Sequence, residues 1–232
     1  MISPRTIEIG KAVQGHNDRL AAANRALFDN SGVFVINVMS APGSGKTEFL
    51  ARTLRECAGI RPGLRSAVIV GDLATDNDAR RLAATGAEAV QIVTGGYCHL
   101  DADMVAQAVV GIDLDALELL IIENVGNMVC PASFALGEHM RVALISVTEG
   151  EDKPLKYPTL FKRAEAIVLN KIDIAEVVGF DRTAALRNLH DVAPSALIFE
   201  VSARTGEGMR PWYDFLKQQV RDREGCYAGQ AS

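Results

Sequence analysis

The chain has 232 residues, 48% of them hydrophobic, enough to bury one core of ordinary size as a single large α/β unit. A net charge of −5 and a pI near 5.4 exclude a general attraction to nucleic acid or anionic lipid, so any phosphate binding must come from a local site. Arg5, Glu8, Lys11, Asp18 and Arg19 exclude a signal-peptide core, and no apolar run approaches spanning length, which predicts a soluble cytoplasmic protein with no membrane and no nucleic-acid partner.

The first predicted element is an amphipathic helix. Ile9, Val13, His16, Leu20, Ala23 and Leu27 recur at spacings of four and three and line one helix face with mostly apolar side chains. That stripe packs on the domain itself or docks a second chain; short heptad runs are common, which favours the first. Residues 1–31 are therefore expected to form a helical extension, 32–224 the main domain and 225–232 ("GCYAGQAS") a frayed tail. Asn30-Ser31-Gly32 and Arg61-Pro62-Gly63 read as connections.

From Gly32 onward, short β-branched runs alternate with helical stretches: "VFVINVM" (33–39), "SAVIVG" (66–71), "AVQIV" (89–93), "LELLIIEN" (117–124), "RVALISV" (141–147), "AIVLN" (166–170) and "ALIFEVS" (196–202). Strands this continuously apolar are buried on both faces, which predicts a doubly wound α/β fold with about seven mostly parallel strands.

After the first strand comes "SAPGSGKT" (40–47). Gly43, Ser44 and Gly45 can turn their backbone N–H groups toward phosphate oxygens, Lys46 can reach the outer phosphates, and the Thr47 hydroxyl can ligate Mg2+ at a helix N-terminus. This is a P-loop, with Ser40 in place of the usual first glycine. In "GDLATDNDARR" (71–81), Asp72 ends a strand and Asp76 and Asp78 follow in the next turn, where some of them are expected to meet Mg2+ or the attacking water. Helix N-capping fits Asp76 equally well.

"TGGYCHLDADM" (94–104) sets Cys98 directly before His99. "IIENVGN" (121–127) ends a strand as Glu-x-x-Gly, so that Glu123 can hold Mg2+ or its water and the Gly126 N–H can sense a γ-phosphate. There is no obvious arginine finger in cis, and Asn127 rather than Gln follows Gly126, so intrinsic hydrolysis is expected to be slow. Cys130 comes only four positions after Gly126, a span of at most about 14 Å, and Pro131 is expected to bias the Cys130 backbone toward an extended conformation.

Both sulfurs follow strands and should emerge at the carboxyl edge of the sheet, where ligands bind in such folds. Neighbours such as Cys98 and His99 point apart in regular structure, so one chain closes a tetrahedral site poorly and two chains sharing Ni2+ or Zn2+ do better. A buried structural pair remains open. A Cys–His nucleophilic pair is disfavoured because adjacent residues seldom bring sulfur to an imidazole nitrogen. Cys57 and Cys226 read as structural or incidental thiols.

"NKID" (170–173) and "SAR" (202–204) complete the pattern. Guanine offers N1–H and its 2-amino group side by side, a pair that the Asp173 carboxylate accepts and that adenine lacks, so GTP is the expected nucleotide. Lys171 should lie along the base plane, Asn170 should tie its loop to the P-loop, and the backbone at Ser202 and Ala203 should bond O6.

Taken in order, "GKAVQGHNDRLAAANRALF", "SAPGSGKT", "GDLATDNDARR", "CHLDADMV", "ENVGNMVCPASFALGEH", "VTEGEDKPLKYP", "NKID" and "SARTGEGM" resemble the HypB family of hydrogenase nickel-incorporation accessory GTPases almost end to end. The resemblance implies a nickel metallochaperone of the SIMIBI class that hydrolyses GTP to GDP, dimerises with GTP, works with a HypA-like partner metallochaperone and delivers Ni2+ to the large-subunit precursor of a [NiFe] hydrogenase. It further implies Cys98, His99 and Cys130 as metal ligands at the dimer interface, and Lys46, Thr47, Asp78 and Glu123 as residues serving nucleotide and Mg2+. Two departures stand out: the N-terminal Cys-x-x-Cys-x-Cys or His-rich nickel site of some members is missing, and Gly96 replaces a frequent Lys. The related urease accessory GTPase is an alternative, against which the missing Cys-Pro-His arrangement and "ENVGNMVCPASF" argue. A regulatory GTPase module with core cysteines and no metal is another.

Overall fold

The structure, a computed structural model, describes residues 9–59, 64–72 and 76–228, with helical backbone alone for 9–13 and 224–228. Seven strands alternate with eight helices among these residues. They are α1 (Ile9–Ser31), β1 (Phe34–Ser40), α2 (Lys46–Gly59), β2 (Ser66–Asp72), α3 (Asn77–Ala83), β3 (Glu88–Val93), α4 (Ala102–Val109), β4 (Leu119–Glu123), β5 (Met140–Ser146), α5 (Lys153–Lys156), α6 (Pro158–Lys162), β6 (Ala166–Asn170), α7 (Arg182–Val192), β7 (Leu197–Glu200) and α8 (Met209–Ala228). All strand pairs are parallel, in the order β3-β2-β4-β1-β5-β6-β7. The doubly wound parallel fold expected from the apolar runs is the fold observed.

Alternation along β1 explains the layering. Phe34, Ile36 and Val38 face one side, where α2 and α8 supply Phe49, Leu54, Trp212 and Leu216. Val33 and Val35 face the other, with Phe28 of α1 and Val105 of α4. A third cluster joins Ala143, Ile145, Ile167 and Leu169 to Leu160, Phe161 and Leu189. From β1 the chain winds first toward β2 and β3 and later toward β5, β6 and β7, so the crevice at the carboxyl end of β1 is a topological switch point.

The N-terminal helix packs on the domain, but on a face rotated from the expected one. Asn17, Ala21, Asn24 and Phe28 are its buried positions, whereas His16 and Ala23 are exposed and Leu27 is 43% exposed. The apolar stripe misled because two of the inward residues are asparagines that meet partners inside. The side chains of Ile9, Val13 and Cys226 lie outside the described residues, as do 60–63, which contain the Arg61-Pro62-Gly63 connection. At the other terminus α8 continues to Ala228, beyond the expected start of the tail at 225. No helix among the described residues is long and apolar enough to cross a membrane.

Where α1 ends, His139 is held neutral. Its Nδ1 accepts the Val35 N–H at 2.9 Å, which leaves Nε2–H to face Asp29 Oδ1 at 2.9 Å. Arg223 bonds the same Asp29 oxygen. Burial drives the His139 pKa from 6.5 to about 4, the Asp29 bond opposing it, and a second ring proton would displace the Val35 bond. The unfolded chain therefore takes up a proton between pH 6.5 and 4 that the folded chain refuses, and stability falls as the pH falls through that window. Urea melts at pH 7 and pH 4.5 are expected to differ by up to about 3 kcal/mol more in the native protein than in His139→Gln. An equal difference in both would remove His139 from the acid response.

Candidate nucleotide and metal site

The carboxyl ends of β1, β2, β4 and β6 deliver Ser40, Asp72, Glu123 and Asn170 to one edge of the sheet. Between β1 and α2 the P-loop folds back on itself, with Ser44 Oγ donating to Ala41 O at 2.8 Å. A cavity of about 410 Å³ opens over it, lined by Gly43, Gly45, Lys46, Thr47, Asp72, Asp78, Glu123 and Gly126 among others. A second, of about 260 Å³, is lined by Gly45, Glu48, Asn170, Lys171, Asp173, Ile174, Ala203 and Arg204. Gly45 and Glu48 line both, so two chambers adjoin at the P-loop, the first a candidate for phosphates and the second for a base.

Asn170 joins the two chambers. Its Nδ2 donates to Ser44 O at 3.0 Å, and its Oδ1 accepts the Ala203 N–H at 3.0 Å. Lys171, in the left-handed region at φ 64°, sends Nζ to Gly43 O at 2.7 Å. Gly45 is at φ 90°, and a Cβ there would lie 2.6 Å from Asn170 Nδ2. Gly45→Ala therefore brings both backbone strain of about 1–3 kcal/mol and displacement of the tie. Calorimetric titration with GDP is expected to show affinity reduced about tenfold or more; unchanged affinity with an intact far-UV circular dichroism spectrum would refute this role for Gly45.

Two buried acceptors in these chambers have no hydrogen-bond partner: Glu123 Oε2 and Asp173 Oδ1. Glu123 is 2% exposed, accepts the Thr47 hydroxyl at 2.8 Å through Oε1 and lies 3.6 Å from Lys46 Nζ. Burial pushes its carboxyl pKa up, the neighbouring Asp78 charge adds to this, and Lys46 and Thr47 pull the other way. Carboxylates converging on one orphaned oxygen beside a hydroxyl form a hard-oxygen donor set suited to Mg2+. Asp173 Oδ1, at the wall of the base chamber, suits a ring N–H donor.

Two expectations about the chambers need correction. The N–H groups of Ser202 and Ala203 are already taken, by Glu207 O at 2.9 Å and by Asn170 Oδ1, so neither is free to meet O6 in this arrangement. Asp76 precedes α3 without capping it and instead pairs with Arg80 at 2.7 Å. Arg81, which sequence reading passed over, lines the phosphate chamber, where Glu48 holds its guanidinium at 2.7 Å. Arg52 of α2 likewise steadies the 202–204 loop, donating to Ala203 O at 2.6 Å and Arg204 O at 2.9 Å.

Cys98, His99 and Cys130 lie next to this edge, and one donor atom from each falls within 4.8 Å of the others. Among the described residues this is the single group of three His, Cys, Asp or Glu side chains arranged closely enough to share an ion. Contrary to the expectation that neighbours point apart, Cys98 Sγ lies 3.9 Å from His99 Nδ1. The segment is irregular, so the alternation of a strand does not apply, and Cys130 is helical at φ −61° and ψ −49° rather than extended as Pro131 suggested. Thr94 turns it, with its N–H donating to Asp72 O at 3.0 Å and its hydroxyl to Tyr97 O at 2.8 Å. The His99 ring stacks on Phe134 with centroids 4.1 Å apart. Burial lowers the His99 pKa, which keeps a ring nitrogen available as a ligand, and the bond with Cys98 raises that of Cys130. Cys57 by contrast is fully buried in the core, its thiol pushed up to about 11 by burial, as an inert structural cysteine should be.

The family model described as "CobW/HypB/UreG, nucleotide-binding domain" matches residues 34–200. Hydrogenase maturation factor HypB of Azotobacter vinelandii is 50% identical over 215 residues, covering 93% of this chain and 70% of that protein. The chain belongs to the HypB family. Hydrogenase maturation factor HypB of Escherichia coli K12 is 47% identical over 219 residues, covering 94% of this chain and 74% of that one. The crystal structure of HypB from Helicobacter pylori in complex with nickel matches with a TM-score of 0.83 at 39% identity, over 89% of this chain and 96% of that one. The resemblance read from the motifs is thus the family found, and with it come a P-loop GTPase fold and a relationship to hydrogenase maturation.

In this HypB-family chain the two sites share a short connection. Asn127, next to Gly126, turns toward the Cys98 segment: its Nδ2 donates to Cys98 O at 3.3 Å and its Oδ1 accepts the Val129 N–H at 2.8 Å. Asn124 Oδ1 accepts the N–H of Leu100 at 3.1 Å and of Val125 at 2.9 Å. Asn127 was read only for the Gln it replaces, and Asn124 carried no signal beyond its place in "ENVGN". The side chains of one loop hold the backbone of the other.

Proposed function

We propose that this chain is a slow GTPase that uses Mg2+ and couples its nucleotide state to Ni2+ or Zn2+ held by Cys98, His99 and Cys130, in the service of nickel insertion into hydrogenase. The observation that carries the reading is the Asn127 connection: one residue beyond the candidate γ-phosphate sensor Gly126, it grips the carbonyl of Cys98 and orders the turn that leads to Cys130. Any shift of Gly126 on loss of the γ-phosphate is passed to both sulfurs.

The residue roles follow from the chambers. Gly43, Ser44 and Gly45 wrap the phosphates, Lys46 offsets their charge, and Asp72, Asp78, Thr47 and Glu123 surround the place for Mg2+, with Asp72 or Asp78 also able to orient a water. Bound Mg2+ would supply charge neutralisation across the outer phosphates. Asp173 selects guanine, while Asn170 and Lys171 fix the wall of its chamber. Ser202 and Ala203 hold the loop over the base through their committed N–H groups.

Three donors leave a tetrahedral metal incomplete, and the apolar side chains beside them are uncovered: Tyr97 is 63% exposed and Val129 60%. This favours a GTP-dependent homodimer that closes the site between two copies, with a HypA-like metallochaperone and the hydrogenase large-subunit precursor as later partners. The nickel-bound HypB of Helicobacter pylori is the relative that supports the metal assignment. Ni2+ titration with GDP and with a non-hydrolysable GTP analogue, each followed by light scattering, tests the whole reading. Affinity is expected to differ between the two nucleotides and a dimer to form with analogue and metal. Equal affinities and a monomer throughout would sink it.

A further inference from the structure

Helix α1 is fastened at once to both segments that carry the candidate metal ligands. Asn17 accepts the Ala102 N–H through Oδ1 at 2.9 Å and donates through Nδ2 to Ala135 O at 2.8 Å. Two turns later Asn24 Nδ2 donates to Ala102 O at 2.8 Å and to Leu136 O at 3.0 Å. Ala102 follows the Cys98-His99 pair within the same short segment, and Ala135 and Leu136 follow Cys130 and the Phe134 ring that stacks on His99. Each asparagine therefore bridges the two segments.

The bridges are buried and closely fitted. Asn17 is 5% exposed and Asn24 4%. Gly137, at φ 99°, lets the 135–138 backbone lie directly on the helix: a Cβ there would stand 2.7 Å from Asn24 Cβ and 2.9 Å from Ala21 O. Arg25 Nε adds a bond to Gly137 O at 2.8 Å. Apolar side chains at 17 and 24 would pack α1 on the sheet without the desolvation that a buried amide costs, so amides at these places fix something that packing alone leaves free. What they fix is the placement of two loops against one rigid rod.

We propose that Asn17 and Asn24 are positioning residues for the metal site: through α1 they set the separation of the Cys98-His99 pair from Cys130. The proposal rests on the reading of those three residues as metal ligands. It makes α1 part of the frame of that site, while no described α1 side chain lines either nucleotide chamber. Displacing α1 changes metal binding and leaves nucleotide binding alone.

The test uses the full chain with Asn17→Ala, Asn24→Ala, Gly137→Ala and Cys98→Ala. Ni2+ affinity is measured by competition with a chromophoric chelator and the thiolate-to-nickel absorption is recorded, alongside GDP affinity and thermal melting. In the asparagine variants Ni2+ affinity is expected to fall about 10- to 100-fold, the range for lost supports around metal ligands, with altered absorption and GDP affinity within about twofold. Gly137→Ala should act in the same direction by pushing the helix outward. Should Asn24→Ala fail to fold, Asn17→Ala, which leaves the Asn24 bridge in place, carries the same expectation. Unchanged Ni2+ affinity and absorption in the asparagine variants, with Cys98→Ala still losing metal, overturns the positioning role and spares the ligand assignment. Loss of Ni2+ and GDP binding in equal measure also overturns it, as general loosening. Full metal binding by Cys98→Ala overturns both readings.

Discussion

Asp173→Asn is expected to reverse the nucleotide preference from GTP to xanthosine triphosphate. The buried Asp173 Oδ1 has no partner inside the protein, in a chamber bounded by Lys171, Ile174 and Ala203. A carboxylate there accepts both N1–H and the 2-amino group of guanine; an asparagine presents an NH2 to that amino group, donor against donor. Xanthine replaces the amino group by a carbonyl, which the asparagine NH2 can donate to while its oxygen still accepts N1–H. A charge-assisted bond worth about 1.5–3 kcal/mol is lost for GTP and a neutral one worth about 0.5–1.5 kcal/mol is gained for the xanthine nucleotide. The ratio of affinities should therefore move by about 2–4.5 kcal/mol, roughly 30- to 2000-fold. Competition between the two nucleotides on wild type and variant measures the ratio directly, and an unmoved ratio would take Asp173 out of the base site.

Removing either sulfur should have a comparable effect on the metal. Cys98→Ala and Cys130→Ala each delete one of three donors that fall within 4.8 Å of one another. Apparent binding energies of four-ligand zinc sites run to about 10–16 kcal/mol, or some 2.5–4 kcal/mol per ligand, so each variant should lose roughly 10²- to 10³-fold in affinity for Ni2+ and Zn2+. His99→Ala is expected to lose less, since its ring also stacks on Phe134 and serves packing. Calorimetry at matched pH compares the three. Wild-type binding by Cys98→Ala would favour the module in which the cysteines are merely structural.

The strands were legible because each central one is a short apolar run buried on both faces, a pattern that does not depend on its neighbours. At the edge the reading slipped: β7 was expected over 196–202 and spans Leu197–Glu200, because the Ser202 N–H leaves the sheet for Glu207 O. The P-loop and the Asn170 tie were legible from spacing alone, since local chemistry dictates them. Less accessible were features made by long-range polar contacts. Asn17 and Asn24 lie off the apolar stripe, and only their partners more than seventy-five residues away make them inward. The convergence of Cys98 and His99 was hidden for a related reason: it depends on an irregular turn, which has no periodicity to read.

The Asn170 amide, which bonds Ser44 O on one side and the Ala203 N–H on the other, has a consequence for biosynthesis. A nascent chain leaving the ribosome exposes its P-loop early, yet the residue that stiffens that loop is itself fixed by a segment made more than 150 residues later. The wall that braces the P-loop therefore reaches its final hydrogen-bonded form only once the 202–204 segment has been made and folded.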